Sequence, residues 1–133
     1  MAQFKSEETS VNASSEVVFD FLKDLNNLEP LIVNDKISEW QSTETECSFK
    51  VPNMGKIGFK FDSADQPNKI VLKSISDKPF GFTMNLNITA AGDTSQVQIV
   101  VDADINPMLK MMVEKPLTQF FDSIARKMGE RSF

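Results

Sequence analysis

The residues that could do chemistry in this chain are a few carboxylates and one thiol. Glu39 alternates with Gln41 around Trp40 on one candidate strand. Turned into an apolar interior, Glu39 would have its pKa raised by burial and could serve as an acid or base; at an exposed edge it does nothing of the kind. Asp62, at the end of another candidate strand, is the second candidate base. Asp102 and Asp104 sit two residues apart on one strand face, and paired carboxylates can bind a cation or trade a proton, but beside Gln96 and Gln98 they read as water-facing. Cys47 is the only cysteine, so no internal disulfide forms. Its thiolate would need an activating neighbour. The chain contains no histidine and no tyrosine, which removes Ser-His-Asp and Cys-His chemistry and the commonest ligand for zinc or iron. No catalytic residue, metal site or cofactor is expected.

The other chemistry on offer is apolar contact. The chain has 11 phenylalanines and 7 methionines. Phe59, Phe61, Phe82 and Met84 fall on strands, and Met108, Met111 and Met112 on a helix. Two readings stay open: a plastic, greasy pocket, since methionine adapts to irregular ligands, or a core packed solid by the same residues.

The elements that must position these groups are legible in the periodicity. The longest helical pattern is NPMLKMMVEKPLTQFFDSIARKMG, residues 106–129. Leu109, Met112, Val113, Leu117, Phe120, Phe121, Ile124 and Met128 recur in steps of three and four and form one stripe. Lys110, Glu114, Thr118, Asp122 and Arg126 face water. Asn106 caps, Pro107 suits the first helical position, and Gly129 reads as the stop. Pro116 predicts a kink or break near residues 113–115. Residues 3–11 read as a first strand. Ser14 caps a short helix with a stripe of Val17, Val18, Phe21, Leu22 and Leu25, and a second short helix or turn carries Leu28, Leu31, Ile32 and Val33 near Pro30. Asp20, Asp24, Glu29 and Asp35 make this pair acidic, either as a solvated face or as a partner surface.

From residue 35 to 105 the period becomes two. The inward sets are Cys47, Phe49 and Val51; Ile57, Phe59 and Phe61; Ile70, Leu72 and Ser74; Phe80, Phe82, Met84, Leu86 and Ile88; and Val97, Ile99, Val101, Ala103 and Ile105. Turns fall at residues 52–55, at Pro67-Asn68, at Lys78-Pro79 and at 91–94. The expected fold is therefore α+β: a curved antiparallel sheet of about six to seven strands wrapped around a long C-terminal helix, with two short helices after the first strand, all in one domain over residues 1–133.

This order of elements resembles the START-like, Bet v 1-like (SRPBCC, polyketide cyclase and lipid-transport) superfamily and its helix-grip fold. VNASSEVVFDFL (11–22) resembles its passage into the first helix, GKIGFKF (55–61) its central hairpin, and DADINPMLKMM (102–112) the passage from last strand to last helix in small bacterial members. The resemblance implies a cavity between sheet and helix that holds a small hydrophobic, lipid-like or polyketide-like molecule. Its implied lining is Phe49, Phe59, Phe61, Leu72, Phe82, Met84, Leu86 and Val101 from the sheet, and Met108, Leu109, Met112 and Phe120 from the helix. Ser63, Ser74 or Glu39 could orient a ligand head, and the Pro116 break could gate the site.

Binding or transport without catalysis is the first reading. A cyclase or aromatase using Glu39 or Asp62 is the second, and an interaction module resembling the chaperone-ATPase activators, with a filled core, is the third. The net charge of −5 argues against a nucleic-acid partner. No apolar run is long enough for a membrane span, and no secretory signal or disulfide pair is visible, so a cytoplasmic location is expected. A homodimer is one expectation for its assembly.

Overall fold

The chain opens with two short strands, β1 (Ala2–Lys5) and β2 (Thr9–Val11), where one strand over 3–11 is expected. Both lie antiparallel on the same partner, β8 (Thr94–Asp104), and between them the ladder is held by Ser6. Its backbone N–H donates to Ile99 O (2.9 Å), while its buried hydroxyl accepts from Ile99 N (2.9 Å) and donates to Glu7 O (2.9 Å). A side-chain oxygen thus does what a carbonyl would do in an unbroken strand, and lets the chain jog there.

Ser14 caps α1 (Ser15–Leu22), its side chain accepting from Val17 N. The buried stripe is Ser15, Val18, Phe19 and Leu22, which corrects the expected one: Val17 is 48 % exposed. The small Ser15 starts the 3-4 spacing one turn earlier, and that rotates Phe19 inward in place of Val17. A 3₁₀ turn (Leu25–Leu28) and α2 (Glu29–Ile32) follow, with Pro30 in the first turn of α2 as its fixed φ suits.

In this computed structural model, which describes residues 2–52, 55–76 and 80–131, the period-two region forms β3 (Ser38–Ser42), β4 (Glu46–Val51), β5 (Gly55–Asp65), β6 (Lys69–Ser74), β7 (Gly81–Ala91) and β8. The sheet is antiparallel, in the order β1-β8-β7-β6-β5-β4-β3, with β2 also on β8. The turn at 91–94 is tight, with Gly92 at φ +72°. Asn53 and Met54 of the expected turn at 52–55, and the expected Lys78-Pro79 turn, lie outside the described residues. Two irregularities shape the sheet. Between Ser38 and Gln41 the β3–β4 register shifts by one residue, and Glu39 takes φ +56°, a left-handed conformation uncommon outside glycine. Between Phe61 and Ser63 the β5–β6 register shifts likewise. Bulges of this kind bend a strand and re-aim its side chains.

The apolar face of the sheet is covered by α3 (Pro107–Glu130), capped by Asn106 Oδ1 accepting from Leu109 N (2.8 Å). Its buried side is Val113, Leu117, Phe121, Ile124, Ala125 and Met128. Two expectations are corrected. The helix runs without interruption through Pro116, because one missing N–H in a 24-residue helix seated on a core is tolerated. Gly129 does not end it. A Cβ there would stand 2.5 Å from Thr9 Cγ2 and 3.2 Å from Ser10 O, so glycine lets α3 lie this close to β2 without displacing Thr9. No helix among the described residues is long and apolar enough to cross a membrane.

Ser6→Ala leaves the buried Ile99 N–H without its side-chain acceptor, and the expected cost is about 1–3 kcal/mol. Urea unfolding checks it: the midpoint falls and the slope stays unchanged.

Candidate functional site

The site is built from aromatic rings. On β4, Phe49 is fully buried, with Phe59 of β5 edge-on to it at 6.0 Å and Phe120 of α3 tilted against it at 5.9 Å. Trp40 stacks on its other side at 5.8 Å and 12° between planes. The β3 bulge makes that stack, because the extra residue carries Trp40 over Phe49 and turns Glu39 out. Trp40 Nε1 donates to Ser42 Oγ (3.1 Å), which donates in turn to Asn26 Oδ1 (2.6 Å). Phe82 joins Phe59 to Phe80, at 6.3 and 6.1 Å, and Phe120 meets Phe121 at 5.5 Å. Edge-to-face and tilted pairs of this kind add about 0.5–1.5 kcal/mol each beyond their burial.

The six phenylalanine rings among these, with Ile57, Met84, Val101 and Leu117, line an inner cavity of about 20 Å³. That is room for little more than one water, and with apolar walls it stays dry. Beside it lies a second, wider space of about 280 Å³, a groove between the β4–β5 hairpin and the first half of α3. Val51, Pro52, Leu109, Met112, Val113 and Pro116 line the groove alone, while Ile57, Leu117 and Phe120 are shared with the inner cavity and form the partition between the two.

The expected lining is thereby divided. Phe49, Phe59, Phe82, Met84, Val101 and Phe120 converge on the inner cavity. Leu109 and Met112 lie in the groove, and Met112 keeps 71 % of its surface exposed. Leu72 and Leu86 are buried in the packed core and border neither space. Phe61 is displaced: it lies half-open beside Asp20, Lys23 and Asp24, at the β5–β6 register shift. Met108 is 75 % exposed and faces water, as does Met111 at 82 %. Ile57, Leu117, Phe121 and Phe80 belong to the apolar stripes of the sequence and line the cavity as well. Nothing in their local spacing separates a wall residue from a core residue.

The candidate catalytic groups stay outside. Glu39 and Asp62 are exposed, and the Glu39 carboxylate lies 4.0 Å from Lys50 Nζ. Of the candidate head-group orienters, Ser74 Oγ accepts from Phe82 N (3.0 Å) and Ser63 is exposed. Asp102 accepts from Gln3 Nε2 (3.0 Å) on the outer face. Among the described residues no group of three or more histidine, cysteine or acidic side chains is placed to hold a metal ion.

Cys47 is buried, and burial pushes its thiol from 9.0 up to about 12, against a smaller opposing effect of a backbone hydrogen bond from Phe59. At neutral pH it is an inert core group. Because the folded state holds the proton that the unfolded chain releases, this contribution is complete below pH 9.0 and is lost as pH rises toward about 12. Stability is expected to fall in that window by up to about 1.4 kcal/mol per pH unit. Urea unfolding across it should show a shallower decline in Cys47→Ala than in the parent, and native protein should react with an aromatic disulfide reagent only as fast as it unfolds.

Comparison with known proteins agrees with this geometry at the level of the fold. Norcoclaurine synthase of Thalictrum flavum, solved as a point mutant with a transition-state analogue, superposes with a TM-score of 0.70 at 14% identity, over 97% of this chain and 94% of that one. The Aha1 dimer of Colwellia psychrerythraea gives 0.64 at 15% identity, over 98% and 100%. A Thermus thermophilus protein gives 0.67 at 16%, over 97% and 95%. These are START-like, Bet v 1-like folds, so the curved sheet gripping a long C-terminal helix is shared. No curated protein matches the chain. Residues 8–133 match the family of the carbon monoxide dehydrogenase protein CoxG, and the chain belongs to that family.

Proposed function

We propose that this protein binds a small, largely apolar molecule between the sheet and α3 and carries or presents it without transforming it. The observation that supports this is the adjacency of two apolar spaces, a roomy groove and a small ring-lined cavity, on either side of one partition of Ile57, Leu117 and Phe120. The driving force is burial: a ligand losing about 300 Å² of apolar surface to this site gains roughly 7 kcal/mol before ordering costs. The lining among the described residues offers no charged or hydroxyl side chain, which supports binding over a cyclase or aromatase reaction and leaves Glu39 and Asp62 no substrate to act on. A second structure of the Thalictrum flavum norcoclaurine synthase, in complex with dopamine and hydroxybenzaldehyde, gives a precedent for small ring compounds on this fold. The family's name ties its members to carbon monoxide dehydrogenase, which supports a carrier or accessory role beside an oxidoreductase. A reduced, buried lone thiol is consistent with work in the cytoplasm.

A second reading has one observation in its favour. Met108, Met111 and Met112 expose 75 %, 82 % and 71 % of their surface on adjoining turns of α3, a face suited to a protein partner or a second copy, as in the Aha1 dimer.

Native mass spectrometry of freshly purified protein, set against its denatured mass, separates the two. An excess of a few hundred daltons on the native monomer, extractable into organic solvent, is the result expected of a carrier. A bare monomer, or a bare dimer, would move the assignment to the interaction surface.

A further inference from the structure

We infer that Phe120 is the door of the site: its ring closes the inner cavity in the free protein, and its rotation joins cavity and groove into one pocket. This rests on the ligand-binding reading above and adds how the ligand gets in. The partition has three members, and they are not equal. Ile57 is β-branched, on a central strand, and 9 % exposed, so it has little freedom. Leu117 is 6 % exposed on the seated side of α3. Phe120 alone of the three is only partly buried, with one edge toward Phe49 and Phe121 and the other on the groove. On a helix a phenylalanine has two staggered χ1 positions available to it, so the door has two seats.

The backbone just before it also lacks one helical rung. Pro116, one turn before Phe120, has no N–H to give to Met112 O, so one rung of the turn leading up to Phe120 is absent. The side-chain bonds that pin α3 lie farther on: Asp122 Oδ1 accepts from Glu7 N (2.8 Å), and Lys127 Nζ donates to Val33 O (3.2 Å). The proline expected to break the helix instead removes one rung just ahead of the door.

The geometry also fixes the class of ligand. The inner space is walled by aromatic rings and aliphatic side chains with no polar side chain, so the end of the molecule that enters is flat, uncharged and free of hydrogen-bonding groups. Any polar end stays in the groove, whose mouth is open to water. The closed cavity is too small for such an insert, so the binding-competent form is a minor state. For a state populated at about 10% or less, removing the door raises the association rate about tenfold or more.

The test uses N-phenyl-1-naphthylamine, a neutral ring compound that accepts energy from tryptophan. Trp40 is the only tryptophan and stacks on Phe49, the ring that Phe120 touches. Stopped-flow energy transfer gives association and dissociation rates for the parent, Phe120→Ala, Phe120→Leu and Phe82→Leu. The Leu variant keeps most of the volume and folds even where Ala does not, as cooperative thermal unfolding will verify. Both Phe120 variants are expected to associate about tenfold faster or more, while Phe82→Leu, which changes the inner wall alone, associates at the parental rate. Binding by the parent with unchanged association in both Phe120 variants would overturn the door and leave the ligand-binding reading standing. Absence of binding in all four proteins would overturn both.

Discussion

The close approach of α3 to β2 at Gly129 sets where the long helix lies, and most of the molecule's behaviour follows from that. With no Cβ, the last turn of α3 comes down onto Thr9 and Ser10, and the jog at Ser6 puts β2 where the helix can reach it. Around this point the fastenings accumulate. Lys127 reaches back to Val33 O, Asp122 takes the Glu7 N–H, and the Arg131 guanidinium lies 4.3 Å from the centre of the Phe21 ring. The helix is thus clamped at its C-terminal end between β1, β2 and α2. Its N-terminal half projects over the β4–β5 hairpin, resting mainly on Val113 and Leu117. A rod held at one end opens at the other, and the groove lies at the other end. Elements with few buried contacts are where local opening is cheapest.

The aromatic tier explains why the same fold is closed and still able to open. Rings are large, flat and stiff, so a few of them fill a curved sheet without the close interlock that aliphatic side chains need. The chain of contacts from Trp40 through Phe49 to Phe120 and Phe121 crosses the whole layer from the β3 edge to the helix. Its residual gap is near the size of a water. Packing of that kind is stable as it stands, and if Phe120 turns as proposed, a single side-chain rotation enlarges the space without a backbone shift. The strained φ at Glu39 belongs to the same arrangement. It costs of order 1–3 kcal/mol and is offset by seating Trp40 on Phe49, which closes the sheet's open edge over the tier.

Much of this is legible in the residues, and the parts that are not have definite causes. Period two marks the strands from β4 to β8 because each has one wet face and one buried face, and the 3-4 stripe marks α3. The Ser14 and Asn106 caps are readable because their chemistry is local. The first strand reads as unbroken because Ser6 fills a ladder position with its side chain, which no periodicity reveals. Gly129 reads as a stop because its true role is a contact with residues at the opposite end of the chain. Among the candidate lining, Phe59 and Phe61 are equivalent by alternation, and what separates them is that Phe61 stands at the β5 register shift, beside the end of α1. Met112 belongs to the stripe by spacing and still faces out, because the helix overhangs the sheet at that turn. Periodicity assigns a face; it does not say how far the opposing element extends.

A site without polar lining selects by shape. Adding or removing a methylene in an apolar pocket changes binding by only about 1–3 kcal/mol, whereas a misplaced hydrogen-bonding group costs far more. On the reading proposed above, such a cavity would reject polar rings strongly and distinguish apolar ones weakly. Finer discrimination has to come from the part of the ligand left in the groove, where Met112 and Leu109 can adapt to it and where water remains in reach. The lining changes character along α3 itself: the Phe120 and Phe121 rings lie toward the clamped end, and the flexible Leu109 and Met112 toward the other. The exposed methionines at that free end then need no separate explanation as a defect of packing, since they stand where a bound molecule's outer end, or the protein that receives it, would meet the helix.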